Sequence, residues 1–239
     1  MDELNNKAIV LNIRDFNNDD SLVTLFIEDG RIVTLKSNGL NSPHSKNKAA
    51  LQPFSFVEIE YFQNSMFPYS GRLKRATLEQ QTLYKDNREI NLVNFLYAVI
   101  KDFKRVNQEI FAIYTYILDK INYHIIFLSS IIYLLIKLLA EENIKIDVTA
   151  CAKCKTRAHI DSFSLKMGGL LCASCAKEER IASIDVDLLK KIITIVKIKH
   201  VEDTATIVFN PDQEILLKDI FGNFLYNEMG IDTYLLKNI

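Results

Sequence analysis

The sequence predicts an α+β protein in which a small N-terminal β-barrel precedes an α-helical domain that carries four cysteines. Three observations support this prediction. Five short strand patterns fill roughly the first 80 residues, helical periodicity replaces them, and all four cysteines fall within residues 151–175. We therefore expect a barrel domain over residues 1–79 and a helical domain over residues 80–239, with a cysteine insertion at 150–180.

The strand patterns of the first domain are either β-branched and apolar-rich, as in Ala8–Ile13 and Leu22–Glu28, or alternate apolar and polar residues, as in Arg31–Lys36. Phe54–Phe62 alternates most strongly, and the turn signal Glu28-Asp29-Gly30 joins two strand patterns into a hairpin. The five patterns are Ala8–Ile13, Leu22–Glu28, Arg31–Lys36, Phe54–Phe62 and Gly71–Leu78. Because closing a small sheet removes its exposed edges, they predict a closed barrel of OB type.

Helical patterns follow after residue 80. They cover Leu92–Phe103, Phe111–Ile121, Ile125–Ala140, Val186–Ile198 and Pro211–Met229. Ile125–Ala140 is nearly all apolar, which predicts a helix at the centre of the bundle. The last helix has clear end signals, with Asn210 as the N-cap, Pro211 at the first helical position and Gly230 after the end.

Composition argues against a membrane protein. The formal net charge is −1, so no global field draws the chain to an anionic surface. The longest apolar run, Ile125–Ile136, is shorter than the ~18 residues of a membrane span, and Ser129 and Ser130 interrupt it. The first residues lack the basic and apolar regions of a signal peptide. We expect a cytoplasmic protein without a membrane partner.

The four cysteines follow the spacing Cys151-x2-Cys154-x17-Cys172-x2-Cys175. Paired C-x2-C turns about 15 to 20 residues apart are typical of zinc modules, because each turn directs two thiolates to one ion. The pattern predicts one structural Zn²⁺ held by all four sulfurs, with no position left for a reactive water. The nearby cations Lys153, Lys155, Lys177 and Arg180 would offset the negative charge of the four thiolates.

Other interpretations of the cysteines remain open. Disulfides would need an oxidising compartment, which nothing in the sequence indicates. A redox C-x-x-C motif would need a βαβ context, which is absent from the sequence pattern. Inert core cysteines fit poorly with the polar, lysine-rich surroundings of both pairs. His159 could replace one ligand, although four sulfurs suffice.

Basic residues concentrate in two parts of the predicted barrel. No acidic residue occurs from Gly30 to Val57, and a second basic cluster lies on the fifth strand. The candidate DNA-binding residues are Arg31, Lys36, Lys46, Lys48, Arg72, Lys74 and Arg75. Such a stripe can neutralise phosphates on an OB barrel, although short charge runs are more often only a solvated surface.

Four motifs, taken in order, resemble the RecO family of bacterial DNA-repair proteins. The first extends from Arg14-Asp15-Phe16 to Phe26, and the second is Leu51-Gln52-Pro53-Phe54-Ser55. The third is the cysteine segment with Gly168-Gly169 before Cys172, and the fourth is the ending Phe224-Leu225…Gly230…Leu235. The chain departs from the family in the loop Gly39–Lys46, which carries less positive charge than is usual there.

The resemblance implies a non-enzymatic recombination mediator associated with the nucleoid. Such proteins bind single- and double-stranded DNA, anneal complementary strands and work with RecR. They help load the recombinase RecA onto DNA coated by the single-strand-binding protein SSB, whose acidic C-terminal tail they contact. A tail receptor needs an apolar pocket beside basic groups, and the helical domain offers Lys101, Lys104, Arg105 and Lys137.

Two other functions compete with this one. A zinc-ribbon adaptor would bind another protein without touching nucleic acid, and it would lack salt-dependent binding of single-stranded DNA. A metal-dependent hydrolase would need an open coordination position, which four thiolates do not leave. ATP use is not expected, because the sequence contains no G-x-x-x-x-G-K phosphate loop.

Overall fold

A computed structural model describes residues 3–66, 69–103 and 105–239, except the side chains of residues 64–66. The first five strands are β1 (Glu3–Asp15), β2 (Ser21–Ile27), β3 (Ile32–Ser37), β4 (Phe56–Met66) and β5 (Tyr69–Gln80). They close into a barrel in the order β1-β2-β3-β5-β4. The pairing of β3 with β5 is parallel, while every other pair is antiparallel. The predicted α+β class, with an OB-like barrel before the helices, is confirmed.

The barrel encloses an apolar core, which is formed by the side chains that point inward from its strands. Val23 and Leu25 of β2, Leu35 of β3, Leu73 of β5 and Tyr61 of β4 all point into it and are buried. Alternate residues on the same strands therefore face outward, because successive side chains of a strand lie on opposite faces. This geometry places basic side chains of β3 and β5 on the outer surface.

Helix α2 (Gln108–Asn122) belongs to the same compact unit as the barrel. That unit comprises Met1–Lys85 and Val106–Ile125. Phe26, which faces outward from β2, packs edge-to-face on Phe111 and Tyr114, with ring centroids 5.1 and 5.9 Å away. From its sequence, this helix is expected in the helical domain. Helical periodicity shows that one face of the helix is buried, but it does not show which element packs on that face. The boundary at residues 79 and 80 stays a prediction.

The second compact unit comprises Asp86–Arg105 and Ile126–Ile239. Its helices are α1 (Asn87–Asp102), α3 (Leu128–Glu141), α4 (Ala173–Glu178), α5 (Val186–Lys197), α6 (Pro211–Met229) and α7 (Tyr234–Lys237). It also contains a hairpin of β6 (Ile160–Ser164) and β7 (Gly169–Cys172), and a 3-10 helix, Val201–Thr206. The hairpin was not predicted, because its short strands lie inside the cysteine segment.

Helix α3 is almost entirely buried, as its apolar sequence predicts. Its two serines are also buried, and both bond to the 3-10 helix. Ser129 Oγ donates to the carbonyl oxygen of Thr204 at 2.8 Å, and Ser130 Oγ lies 2.6 Å from Thr204 Oγ1. The serines that interrupt the apolar run thus satisfy polar groups inside the unit.

The predicted ends of α6 agree with the structure. Asn210 and Gln213 form a reciprocal capping box, Pro211 opens the helix, and Gly230 ends it in the left-handed conformation. Among the described residues, no helix combines the length and the hydropathy needed to cross a membrane.

Candidate metal centre and nucleic-acid interface

Four cysteine sulfurs meet at one point in the second unit. The Sγ atoms of Cys151, Cys154, Cys172 and Cys175 all lie within 4.8 Å of one another. Cys154 Sγ and Cys172 Sγ are 3.7 Å apart, and all four thiols are free. Four sulfurs about 2.3 Å from one tetrahedral ion would be about 3.8 Å apart. The cluster therefore has the dimensions of a four-thiolate metal site.

A tight backbone turn presents the first two cysteines. Lys155 N donates to the carbonyl oxygen of Cys151 at 2.9 Å, and Cys151 N donates to Thr156 O at 2.8 Å. Lys155 has a positive φ of 62°, which lets the chain reverse directly after Cys154. The turn holds Cys151 buried and leaves Cys154 exposed.

The second pair comes from the junction of a strand and a helix. Cys172 ends β7 and is the N-cap residue of α4, and Cys175 follows within the first turn. Gly168 and Gly169 turn the chain into β7 with positive φ values of 82° and 138°. Ala152 N donates to Leu170 O at 2.7 Å, so β7 also holds the first turn in place.

The thiol pKa values reflect the crowding of the four sulfurs. Burial raises the pKa of Cys151, but hydrogen bonds from the backbone amides of Cys154, Cys172 and Lys153 hold it at about 6. Burial, together with hydrogen bonds among the thiols, raises the pKa of Cys175 to about 12. A bound divalent cation would stabilise all four thiolates at once. The donor set and its spacing fit a zinc ion.

Very little apolar packing supports the cysteine module. Its core is a small cluster of Cys151, Leu171, Cys172, Cys175 and Ala176, so three of five members are candidate ligands. Because so small a core buries little apolar surface, a bound metal would supply much of the module's stability.

Charged side chains also connect the two cysteine pairs. Lys153 Nζ lies 2.9 Å from a carboxylate oxygen of Glu178 and also pairs with Glu179, just after α4. Lys155 pairs with Asp147 at 3.5 Å. Both lysines were expected to offset the negative charge of the thiolates. Each also forms an ion pair with a carboxylate, so its positive charge is divided between the two.

Within the described residues, the four cysteines are the only group of three or more potential ligands that could hold a metal ion. His159 is exposed and is not part of the group. Four thiolates complete a tetrahedron, so the site offers no open position to a water or a substrate.

Three of the seven predicted DNA-binding residues form ion pairs. Arg31 pairs with Asp29 at 2.7 Å, Lys36 with Asp20 at 2.8 Å, and Lys74 with both Glu3 and Glu60. The bond from Lys36 lowers the pKa of the Asp20 carboxyl and raises that of Lys36. Each of these cations would give up a carboxylate partner on meeting a phosphate.

The other four predicted residues are Lys46, Lys48, Arg72 and Arg75. All are exposed, and none forms an ion pair with any residue that the structure describes. Their charge is available to a polyanion without breaking an ion pair. Lys36 and Lys74 could not be separated from these four by sequence, because Asp20 and Glu60 reach them only through folding. Arg31 differs, since its partner Asp29 is two residues away.

The structure brings part of the basic loop next to the fifth strand. Lys46, Lys74 and Arg75 line one open pocket of about 650 Å³. The amide of Ala76 donates to Asn47 Oδ1 at 3.0 Å, which fixes the loop against β5. The two basic segments, joined by a hydrogen bond between residues 29 positions apart, therefore form one surface.

These features define a class: a barrel of OB topology with exposed basic groups, in a chain that also carries a closed four-cysteine module. Comparison with known proteins indicates which family within this class the chain resembles. Residues 1–77 match the family model described as "Recombination protein O N terminal".

Relatives similar over most of their length carry the name DNA repair protein RecO. The one from Mesoplasma florum is 23% identical, covering 100% of this chain and 91% of the relative. The one from Mycoplasma capricolum is 26% identical, covering 98% and 96%. The one from Shouchella clausii is 27% identical, covering 77% and 73%. The resemblance to the RecO family is confirmed.

Proposed function

We propose that this protein is a DNA-binding mediator of recombinational DNA repair that acts without catalysing a reaction. The observation that carries the proposal is an OB-like barrel, matched by the RecO family model, that exposes four cations with no carboxylate partner among the residues described by the structure. In this role the protein works in the cytoplasm, at the nucleoid.

Binding to DNA would be chiefly electrostatic. Lys46, Lys48, Arg72 and Arg75 would contact phosphates and release condensed counterions, so affinity should fall steeply with salt and depend little on sequence. Lys74, Lys36 and Arg31 would add weaker contacts, because each exchanges an existing ion pair for a phosphate. Neutralising phosphates on two complementary strands would reduce their repulsion and favour annealing.

The proposed protein partners come from the resemblance. We propose that the protein works with RecR, binds the acidic C-terminal tail of SSB, and helps load the recombinase onto SSB-coated single strands. An apolar hollow of about 330 Å³ in the second unit is a candidate receptor for the tail. Phe163, Leu165 and Phe224 line it, and Lys166 at its rim pairs with Glu228 at 3.3 Å.

The basic residues first considered for this receptor have other neighbours. Lys101 lies over the ring of Tyr97 and Lys137 over that of Tyr133. Lys104 falls outside the described residues. Phe224→Glu in the full chain should therefore abolish binding of a tail peptide, while Lys101→Gln should not.

The metal is proposed to be one structural Zn²⁺ held by Cys151, Cys154, Cys172 and Cys175. It would stabilise the hairpin β6–β7 and helix α4. A hydrolytic role is disfavoured because the closed sulfur set leaves no position for an activated water.

The decisive test is a titration of labelled single-stranded and duplex DNA at two salt concentrations. Replacing Lys46, Lys48, Arg72 and Arg75 by Gln should weaken binding to both DNAs. It should also reduce the salt slope by about one unit for each lost phosphate contact. A matched control replaces four exposed lysines of the second unit, Lys145, Lys190, Lys197 and Lys199, by Gln.

Equal losses in the two quadruple variants would mean that net charge, and not the barrel surface, determines binding. If the native protein shows no salt-dependent binding of either DNA, the proposal is wrong. The adaptor hypothesis, in which the protein binds only other proteins, would then be favoured.

A further inference from the structure

One row of paired residues crosses the outer surface of the barrel from β1 to β4. Arg14 pairs with Leu22, Leu22 with Lys36, Lys36 with Arg72, and Arg72 with Phe62. Residues directly opposite one another on neighbouring strands project their side chains to the same face. The adjacent residues Val23, Leu35, Leu73 and Tyr61 point into the core, so the row lies on the outer face of the barrel. Leu22 in the middle of the row is covered and only 2% exposed.

Aromatic rings accompany the cations of this row. Phe16, just after β1, packs edge-to-face on Tyr69 with ring centroids 6.0 Å apart, and Lys36 Nζ lies 5.6 Å from the centre of the Phe16 ring. The guanidinium of Arg72 lies 5.5 Å from the centre of the Phe62 ring. Phe16 is 37% exposed, and Phe62 and Tyr69 are partly exposed. The surface thus presents aromatic rings to solvent beside positive charge.

The charges at the two ends of the row are unneutralised. Arg14 and Arg72 are exposed, and neither forms an ion pair with a residue that the structure describes, whereas Lys36 between them is paired with Asp20. Three strand spacings separate Arg14 from Arg72, which is roughly 14 Å. Two guanidinium groups therefore stand at separate positions of the row. Lys36, which lies over the Phe16 ring, is between them, and the Phe62 ring lies beside Arg72.

We infer that Phe16, Tyr69 and Phe62 form a base-stacking platform for single-stranded DNA, with Arg14 and Arg72 contacting phosphates on either side. This inference rests on the proposed DNA-binding function and specifies its substrate. An aromatic ring can stack on any unpaired base, whereas the bases of a duplex are already stacked and paired. The platform therefore distinguishes single strands, while the pocket of Lys46 and Arg75 attracts any polyanion.

The test compares the full-length native protein with variants that remove rings but keep charge and apolar volume. Phe16→Leu/Phe62→Leu should lower affinity for a labelled oligo-dT single strand by tenfold or more, in line with ~1–3 kcal/mol of stacking per base. Affinity for a duplex of equal length should stay within about twofold, with an unchanged salt slope. Phe16→Tyr, which keeps the ring, should retain single-strand binding.

A second measurement reports stacking directly. The sequence contains no tryptophan, so Phe16→Trp introduces a single tryptophan at the platform, whose emission can be excited selectively over that of the 10 tyrosines. Oligo-dT should quench its emission, and duplex should not. The inference is overturned if the leucine variant loses both DNAs equally or neither, or if oligo-dT leaves the emission unchanged.

The outcomes also separate this inference from the proposed function. If the native protein binds neither DNA, both fail. If it binds both DNAs and the leucine variant does so equally well, only the stacking platform fails, and binding is carried by the cations alone.

Discussion

Gly169 lies so close to the backbone of Asp147 that a Cβ atom added to it would be 2.1 Å from the carbonyl oxygen of Asp147. The two residues form a parallel β-bridge beside the hairpin. Asp147 O accepts from Leu170 N at 3.0 Å, and Asp147 N donates to Gly168 O at 2.8 Å. This contact fixes the strand that leads into Cys172.

Gly169→Ala should therefore destabilise the cysteine module. The added methyl group collides with the backbone, and the φ of 138° is strained for alanine, so we expect a cost of at least about 1–3 kcal/mol. Thermal unfolding and zinc content should both decrease. Gly39→Ala is the control, because Gly39 has a positive φ but no atom within 4 Å of an added Cβ. Equal effects of the two substitutions would contradict the argument from close contact.

The purified protein should contain one zinc per chain. Cys151→Ser/Cys172→Ser removes one ligand from each pair and should abolish binding and destabilise the module, because metal affinity is part of the folding free energy. Elemental analysis and thermal unfolding check this. His159→Asn should keep its zinc, since His159 is outside the cluster and asparagine tolerates its positive φ. A full zinc complement in the double variant would exclude this site.

The buried serines of α3 should contribute similarly to stability. Thr204 Oγ1 donates its hydrogen to Val201 O, so Ser130 must donate to Thr204 Oγ1. The Thr204 carbonyl accepts from Ser129 Oγ and also from Ile207 N at 3.0 Å, so Ser129→Ala does not leave it without a donor. Ser129→Ala and Ser130→Ala should each cost about 1 kcal/mol. Chemical denaturation measures both free energies of unfolding.

Ser183, which is exposed, provides the control for these serine substitutions. Ser183→Ala should change stability by less than about 0.5 kcal/mol. If Ser129→Ala is equally neutral, the bond to Thr204 does not stabilise the unit.

Removing the ring of Phe26 should detach helix α2 from the barrel. Phe26 is fully buried, so Phe26→Ala should cost about 3–5 kcal/mol. Hydrogen exchange should show lost protection over residues 108–122. Phe16→Ala, at a ring that is 37% exposed and does not contact α2, should cost much less stability and leave the protection of residues 108–122 unchanged. Full protection of α2 in the Phe26 variant would show that other contacts hold the helix.

The start of helix α5 should become less stable in acid. Asp185 accepts hydrogen bonds from the amides of Asp187 and Leu188 and from Gln213, and the Asp187 amide contributes most to holding its pKa below the usual 3.8. Since the folded pKa is lowered, this stabilisation is present above pH 3.8 and is lost as pH falls through the folded value.

Asp185→Asn keeps a capping side chain but cannot titrate. The thermal stability of this variant should therefore fall less than that of the native protein between about pH 5 and pH 2. Parallel pH profiles for the two proteins would show that Asp185 does not contribute to the acid sensitivity.

Much of the fold follows from local sequence patterns. Strand β2 was predictable because it is rich in apolar and β-branched residues such as Val23 and Leu25, and β3 because Leu35 alternates with polar neighbours. The ends of α6 were predictable because Asn210 and Gly230 are strong local signals. The hairpin β6–β7 was not, because strands of five and four residues give too short a pattern.

A candidate site could be predicted from the sequence only where the spacing of its residues along the chain is enough to indicate the ligand. The spacing of the cysteine pairs by itself predicts that four sulfurs can reach one metal ion. Whether a basic residue is paired with a carboxylate can instead depend on a residue distant in sequence, as Lys74 depends on Glu3. The sequence indicates Phe16 only as part of a family motif and does not predict its place beside Lys36 and Tyr69. Strand register brings these residues together, and register is not visible in any one strand.

The assignment of α2 to the barrel unit has a consequence for folding during synthesis. The last barrel strand ends at Gln80, yet the unit is complete only at Ile125, after α1 of the other unit has been made. At ~5–20 residues per second, the ribosome needs roughly 2–9 s for this interval. Until then Phe26 has no aromatic partner from α2, so the nascent barrel exposes an apolar surface that a ribosome-associated chaperone could bind.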